Sequence, residues 1–449
     1  MREVSSQDEL KGIRGSAGGE SRVSAGTAWA IVVANMVGIG VFTSAGFQVE
    51  AVPSGFGVQL LWLLGGVMAL CGALCYAELA AALPRSGGEY HFLSRIFHPL
   101  PGFLSGWVSA TVGFSAPIAL AAMAFADYLG GAAPGLPRVP MAVGLVVVAA
   151  VAHSFNLRVG GMVQWLSTLL KVLLIVGLCV ALFAFGESQP VHFLPVWGDA
   201  SLVFSAPFAV SLVFVMYSYS GWNAAAYVTG EVRDPGRSLP LALVGGTLVV
   251  TALYMMVNAA FLVSAPMSAM AGKVEVALVA ARSAFGERGA RAAAALIGVG
   301  LVSTVSAMTW AGPRVSFAMG EDHRALRFLA WRNRGGVPVV ALWVQTLLAL
   351  GMLLTSSFRS ILLYIEFVLS VPLMMTIFGV IWLRWREPGL PRPFRAWGYP
   401  LTPLIFLGMV AWCDVALLQR QPRESMAGMA TLLAGAVVYW FAARRSTTG

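Results

Sequence analysis

The chain has 449 residues, of which 58% are hydrophobic and 11% charged, with a mean hydropathy of +0.79 and a formal net charge of +9. Soluble globular domains carry about 25% charged residues, so composition places this chain outside that class. Nor does the basic balance mark a nucleic-acid binder, because the cations, all Arg except Lys11, Lys171 and Lys273, lie in short stretches between long apolar runs, Lys171 excepted.

A bilayer core of about 30 Å needs about 20 apolar residues per spanning helix. Runs of that kind fall at about 25–50, 56–82, 101–130, 139–156, 159–186 and 204–231, then at about 238–264, 289–318, 337–356, 360–384, 400–419 and 424–443. Their apolar patterning is continuous, which fits helices and not a barrel. The expected fold is an all-α polytopic membrane protein with about 12 transmembrane helices in a single domain over 24–443. The polar residues 1–23, which show no cleavable signal pattern, are expected to form a cytoplasmic tail, and 444–449 a second one. With an even number of spans both termini share a side. Placing the N-terminus inside assigns 20 of the 29 Lys and Arg residues to inner loops and tails, so the positive-inside rule predicts cytoplasmic termini. Cys71, Cys75, Cys179 and Cys413 all lie in apolar runs, and no disulfide framework, metal site or cofactor is expected.

The first and sixth runs are interrupted. Gly38 and Gly40 flank Ile39 where the first helix crosses mid-membrane, and Tyr217-Ser218-Tyr219-Ser220-Gly221-Trp222-Asn223 falls at similar depth in the sixth. Glycine in a helix interior costs about 1 kcal/mol relative to alanine. Taken singly, each would be read as a packing glycine of the kind common in membrane helices. The two breaks occupy the same ordinal position in successive groups of five spans, which is the sequence pointer to an inverted-repeat transporter with its site at the breaks.

Unwound backbone at membrane depth persists only where protein, water or ligand satisfies it. The half-helix that begins at a break offers amides and a positive dipole end, and the one that ends there offers carbonyls. A carboxylate therefore fits the amides of Gly38, Ile39 and Gly40, and an ammonium fits the carbonyls around Tyr217 and Ser218. One small zwitterion answers both sets. No acidic residue lies beside either break along the chain, which argues against a cationic side chain on the solute.

With these residues the chain resembles the amino acid–polyamine–organocation (APC) superfamily, specifically its bacterial amino acid permeases and their L-type relatives. The likeness covers nearly the whole chain. It rests on Gly38-Ile39-Gly40-Val41-Phe42, Pro84-Arg85-Ser86-Gly87-Gly88-Glu89-Tyr90, Tyr219 to Asn223, Gly230-Glu231-Val232, Asp234 to Pro240, Arg392 to Arg395 and Tyr399-Pro400. It implies two inverted five-helix repeats (24–186 and 204–384), a leucine-transporter-like architecture, plus two helices over 400–443. It also implies alternating access, with the amino acid held between the first and sixth helices, and residence in the cell membrane; protons enter as a second candidate solute through the burial of Lys171. By position Tyr217 looks like the family's aromatic gate, where relatives often carry Phe or Trp, and Asn223 like its polar contact; Trp222 is counted with them.

Lys171 stands inside the fifth span, where a cation costs at least about 2.5–3.5 kcal/mol and needs partners. In similar permeases a lysine here occupies the space that sodium fills in sodium-coupled cousins, against the first and eighth helices. It reads equally as a strut pinning the first helix and as a coupling element. Glu78 is expected to pair with a loop arginine, Glu231 to anchor a loop, and His153 to be a satisfied interfacial histidine; Glu366 and Asp414 receive no role. Two rival functions were weighed. A membrane enzyme lacks a His-Glu-x-x-His or Gly-x-Ser-x-Gly pattern, and a channel would not require two matched breaks. Within transporters, an amine, polyamine or cationic amino acid exchanger is the alternative, and it would want a carboxylate in the pocket.

Overall fold

The computed structural model describes residues 23–133, 135–155, 161–203 and 205–446, with the backbone alone for 161–168 and 443–446. The expected tails lie outside the described residues, apart from Val23 and the backbone of 444–446. Everything regular among the described residues is helical. Eight helical stretches are long and apolar enough to cross a bilayer, and three shorter apolar helices accompany them, as befits a polytopic membrane protein.

The first run divides into α1 (Ala25–Met36), α2 (Gly40–Thr43) and α3 (Ala45–Ala51). It is followed by α4 (Gly55–Ala82) and the amphipathic α5 (Gly88–Ile96). The third run consists of α6 (Pro99–Val108), a wide π-helical turn at Ser109–Gly113 and α7 (Ser115–Ala132). Next come α8 (Arg138–Ser154), α9 (Gly161–Phe185) and the short α10 (Asp199–Leu202). The sixth run is α11 (Ala206–Tyr219) followed, after a gap, by a 3-10 turn at Ala224–Glu231. Then follow α12 (Pro235–Ser264), α13 (Met267–Met270), α14 (Val276–Asp322), α15 (Val339–Thr355), α16 (Phe358–Arg386), α17 (Leu401–Arg420) and α18 (Pro422–Ser446). The eighth run starts earlier than its hydropathy suggested. The Ala- and Val-rich residues after Glu275 are helical, and the backbone leaves helical geometry only at Gly286.

Helix starts are defined by local chemistry. Serine hydroxyls cap four of them: Ser24, Ser54, Ser205 and Ser357 accept the amides of Thr27, Gly57, Phe208 and Ser360 at 3.2, 3.0, 3.2 and 3.1 Å. Each satisfies one of the orphan donors that every helix start carries. The most extensive helix pairings are α4 with α12, α7 with α14 and α1 with α12. The broken first and sixth runs therefore lie among long continuous helices that hold their ends.

At one end of the bundle, Asp199 ties the segment before α11 to the start of α4. Its carboxylate accepts the Val196 amide at 2.9 Å and the Ser54 hydroxyl at 2.7 Å, and His192 lies 3.7 Å away. The backbone amide of Val196 and then the Ser54 hydroxyl hold the Asp199 carboxyl below its ordinary value. A depressed carboxyl stabilises the fold above its unfolded pKa of about 3.9, and that contribution is lost as pH falls through the folded value. We expect the melting-temperature difference between wild type and Asp199→Asn to be constant near neutrality and to vanish in acid. A difference that persists unchanged through the acid range would refute this anchor.

At the other end, Val23 forms a parallel bridge with Val232: its amide donates to the Glu231 carbonyl at 2.9 Å, and its carbonyl accepts the Arg233 amide at 2.9 Å. Glu78, near the end of α4, receives Arg384 at 2.8 and 2.5 Å, the Ala396 amide at 2.7 Å and Arg392 at 3.5 Å. The expected loop arginine is thus Arg392, joined by Arg384 from the last turn of α16.

Candidate functional site

The chain is non-helical at Val37, Gly38 and Ile39, and three of the carbonyls around the break are taken up. Met36 O accepts the Gly38 amide at 2.8 Å and the Tyr254 hydroxyl at 2.5 Å. Ile39 O accepts the Phe42 amide and the Thr43 hydroxyl, each at 3.0 Å, and Phe42 O accepts the Tyr128 hydroxyl at 2.7 Å. Tyr254 is held by edge and tilted contacts with Trp62 and Tyr219, with ring centroids 5.3 and 5.1 Å away. The amides of Ile39 and Gly40, by contrast, find no acceptor among the described residues. The carbonyls of Met36, Ile39 and Phe42 are thus occupied, as is the Gly38 amide, while the amides of Ile39 and Gly40 are free.

The second break lies against the first, and glycine makes that possible in both directions. A Cβ on Gly40 would stand 2.6 Å from Ser218 Cα, and one on Gly221 would stand 2.8 Å from the Asn35 carbonyl carbon and oxygen. Gly221 also has φ +97°, a conformation open to glycine and strained for other residues. Between them, Ser44 Oγ lies 3.0 Å from Ser218 Oγ and donates to Gly40 O at 2.8 Å. Gln48 and Trp62 continue this chain at 3.2 and 2.7 Å. At the end of α11, Tyr217 O is occupied by the amide and hydroxyl of Ser220 at 3.1 and 2.7 Å. No donor among the described residues reaches Ser218 O.

Lys171 completes the constellation from α9. Its ammonium donates to Thr304 Oγ1 on α14 at 2.9 Å, and its side chain lines a narrow cleft with Val37, Gly38, Ile39 and Phe42. That cleft, between the first break, α9 and α14, measures about 20 Å³, room for about one water molecule; the breaks themselves close on each other at Gly40–Ser218 and Gly221–Asn35. A larger opening of about 270 Å³ lies elsewhere, beside His153, Arg314 and Arg332. There His153 is paired with Ser306 at 2.8 Å.

The structure thus brings together Gly38, Ile39, Gly40, Ser218 and Lys171, with Tyr217 buried in the last turn of α11 beside them. It turns the other two residues elsewhere. Trp222 packs edge-on against Tyr76 and Phe406, with centroids 4.8 and 6.1 Å away. Asn223 donates to Glu89 Oε1 at 2.6 Å. Glu89, only 4% exposed, also receives the hydroxyls of Tyr76, at 2.6 Å, and Tyr227. The acid-free surroundings read along the chain are therefore not acid-free in space. The loop before α5 folds back beneath the second break and delivers a carboxylate there, already occupied by three donors. Sequence reasoning passed over Glu89, Tyr128 and Tyr254. The twin glycines preceding Glu89 were the one available signal, since they let the loop fold against Tyr227.

A closed pair of broken helices, with free amides on one side and a free carbonyl on the other, within an all-helical membrane bundle, is the framework of a transporter for small solutes. The model of the amino acid permease family matches residues 24–442, and the chain belongs to that family. It is 30% identical to the human large neutral amino acids transporter small subunit 2 over 450 residues, 95% of this chain and 82% of the relative. It is 29% identical to the serine/threonine exchanger SteT of Bacillus subtilis over 84% of this chain and 86% of the relative. Identity to the human b(0,+)-type amino acid transporter 1 is 26%, over 81% and 76%. The chain is accordingly an amino acid permease.

Proposed function

We propose that this permease moves neutral amino acids across the cell membrane by alternating access, with both termini cytoplasmic. In this reading twelve crossings form two inverted five-helix repeats, 24–186 and 204–384, followed by two further helices over 400–443. One observation carries the choice of solute. Tyrosines occupy the carbonyls of Met36 and Phe42 on either side of the first break, the Ile39 and Gly40 amides are left for a carboxylate, and Ser218 O remains for an ammonium. The names of the relatives, a large neutral amino acids transporter subunit and a serine/threonine exchanger, support the same class. A cationic solute is disfavoured because Glu89, the carboxylate bonded to Asn223 of the second break, already accepts three hydrogen bonds.

The test is counterflow: purified protein in liposomes loaded with unlabelled amino acids, with uptake of labelled ones followed at equal pH. Trans-acceleration by neutral amino acids is the expected result, and failure to accelerate any amino acid would overturn the reading. Within it, Lys171 acts as a charged strut joining the first break to Thr304. Losing a charge-assisted hydrogen bond of about 1.5–3 kcal/mol, Lys171→Ala is expected to lower uptake by about tenfold or more, equally with and without a pH gradient. Unchanged uptake would remove Lys171 from the mechanism, and loss of only the gradient-driven part would make it the coupling element instead.

A further inference from the structure

Two carboxyl groups stand deep in the bundle outside the site described above. Glu366 lies eight residues into α16 and Asp414 six residues from the end of α17. At 1.5 Å per residue these are depths of about 12 and 9 Å, well within the hydrocarbon span. Glu366 is 6% exposed, and its Oε1 has no hydrogen-bond partner among the described residues. Asp414 Oδ2 accepts the hydroxyl of Ser370, one turn along α16 from Glu366, at 2.8 Å.

The groups facing the pair are acids or neutral. Glu366 is within electrostatic reach of Asp414 and Cys413 on α17 and of Tyr217 on α11. Charged groups elsewhere around α16 have other partners. Arg359, at its start, faces Glu50 at 3.5 Å, and Glu424 of α18 is bonded to Ser360. Arg384 and Glu387, at its far end, hold Glu78 of α4 and Arg95 of α5. No cation among the described residues pairs with either acid. Glu366 is buried and Asp414 half-buried; two neighbouring carboxyls so placed cannot both ionise cheaply, and an isolated buried carboxylate is far costlier than the neutral acid. At least one of the two therefore carries a proton. A metal cation is a poor alternative: hard cations require a shell of six or more oxygens, and no group of three or more His, Cys, Asp or Glu among the described residues could hold one.

Position gives this proton a function. Tyr217 belongs to the last turn of α11, immediately before the second break. α11 packs against α16, so a movement that opens the breaks and displaces that turn changes the surroundings of Glu366. We propose that Glu366 and Asp414 form a proton-binding site, loaded in this closed conformation and emptied when the end of α11 moves, so that a proton accompanies the amino acid. The proposal rests on the transport reading above. The balance is simple: a carboxylate takes a proton from water on one side, and the acid returns it to water on the other.

The test uses the full chain in liposomes containing a trapped pH-sensitive dye, with L-leucine and L-serine as the added amino acids. In wild type, either one that counterflows should move the luminal pH on net uptake into liposomes containing no amino acid, and an imposed inward proton gradient should drive its accumulation. One proton per amino acid sets a limit of about tenfold accumulation per pH unit. In Glu366→Gln, which fixes the neutral form, the dye response should disappear, and the ratio of gradient-driven uptake to counterflow at equal pH should fall to one. Asp414→Asn provides a second variant if the first is not recovered folded. Wild-type net uptake without luminal pH change, driving by sodium instead, or an undiminished dye response in a folded variant would each overturn the proton site while leaving amino acid transport standing. Absence of counterflow with every amino acid would overturn both.

Discussion

Gly40→Ala is expected to cut counterflow by about tenfold or more in protein that still inserts and purifies as a single species. The added carbon would stand 2.6 Å from both Ser218 Cα and Ser218 Oγ. A hydroxyl can rotate away, but a Cα moves only with its backbone, so the first and sixth runs must separate where they are closest. Overpacking of this kind costs about 1–3 kcal/mol, and each 1.4 kcal/mol withdrawn from the closed state is about a factor of ten in its population. Gly221→Ala should be at least as severe. Its Cβ would meet the Asn35 carbonyl at 2.8 Å, and its φ of +97° adds strain for any residue with a Cβ. Near wild-type counterflow in both variants would show that the mutual approach of the two breaks is not required for closure.

The second large effect concerns stability. Glu78→Ala should lower stability in detergent by about 3–5 kcal/mol, the usual cost of leaving a buried ionic partner uncompensated. Glu78 is 2% exposed and accepts two guanidinium groups and the Ala396 amide, and the side chain of Arg392 is itself only 5% exposed. Arg392 retains the carbonyls of Leu383, Glu387 and Leu390, so Arg384 and the loop at Ala396 bear most of the loss. Thermal unfolding followed by size-exclusion chromatography would report it. A melting temperature within a degree of wild type would show that the cluster is dispensable to the fold.

The breaks could be read from sequence because a glycine pair in an otherwise continuous apolar run has few structural explanations, and a second interruption five spans later has fewer. What satisfies the breaks could not. Tyr128 and Tyr254 lie in apolar runs, and a buried tyrosine looks the same in sequence whichever carbonyl it will meet. Glu89 was hidden for a different reason: it is more than 130 positions from Asn223, and only the folding back of its loop joins them. Trp222 and Asn223 follow a glycine whose positive φ redirects the chain, so their orientation towards Tyr76 and Glu89 depended on a dihedral angle that residue identity permits without requiring. The apolar run over 159–186 placed Lys171 inside a span. Its partner Thr304 needed the packing of α9 on α14.

The bridge between Val23 and Val232 bears on how such a molecule can swing. Two backbone hydrogen bonds fasten the root of the first run to the foot of the sixth, so these segments travel as one rigid body unless both bonds are broken. Rotation must then be absorbed at the non-helical links, Val37–Ile39 in one run and Ser220–Asn223 in the other. In the transport reading proposed above, Ile39 lies within one hinge while Gly40 and Ser218 border the two, so occupancy of the site and the angle of the swing become a single variable.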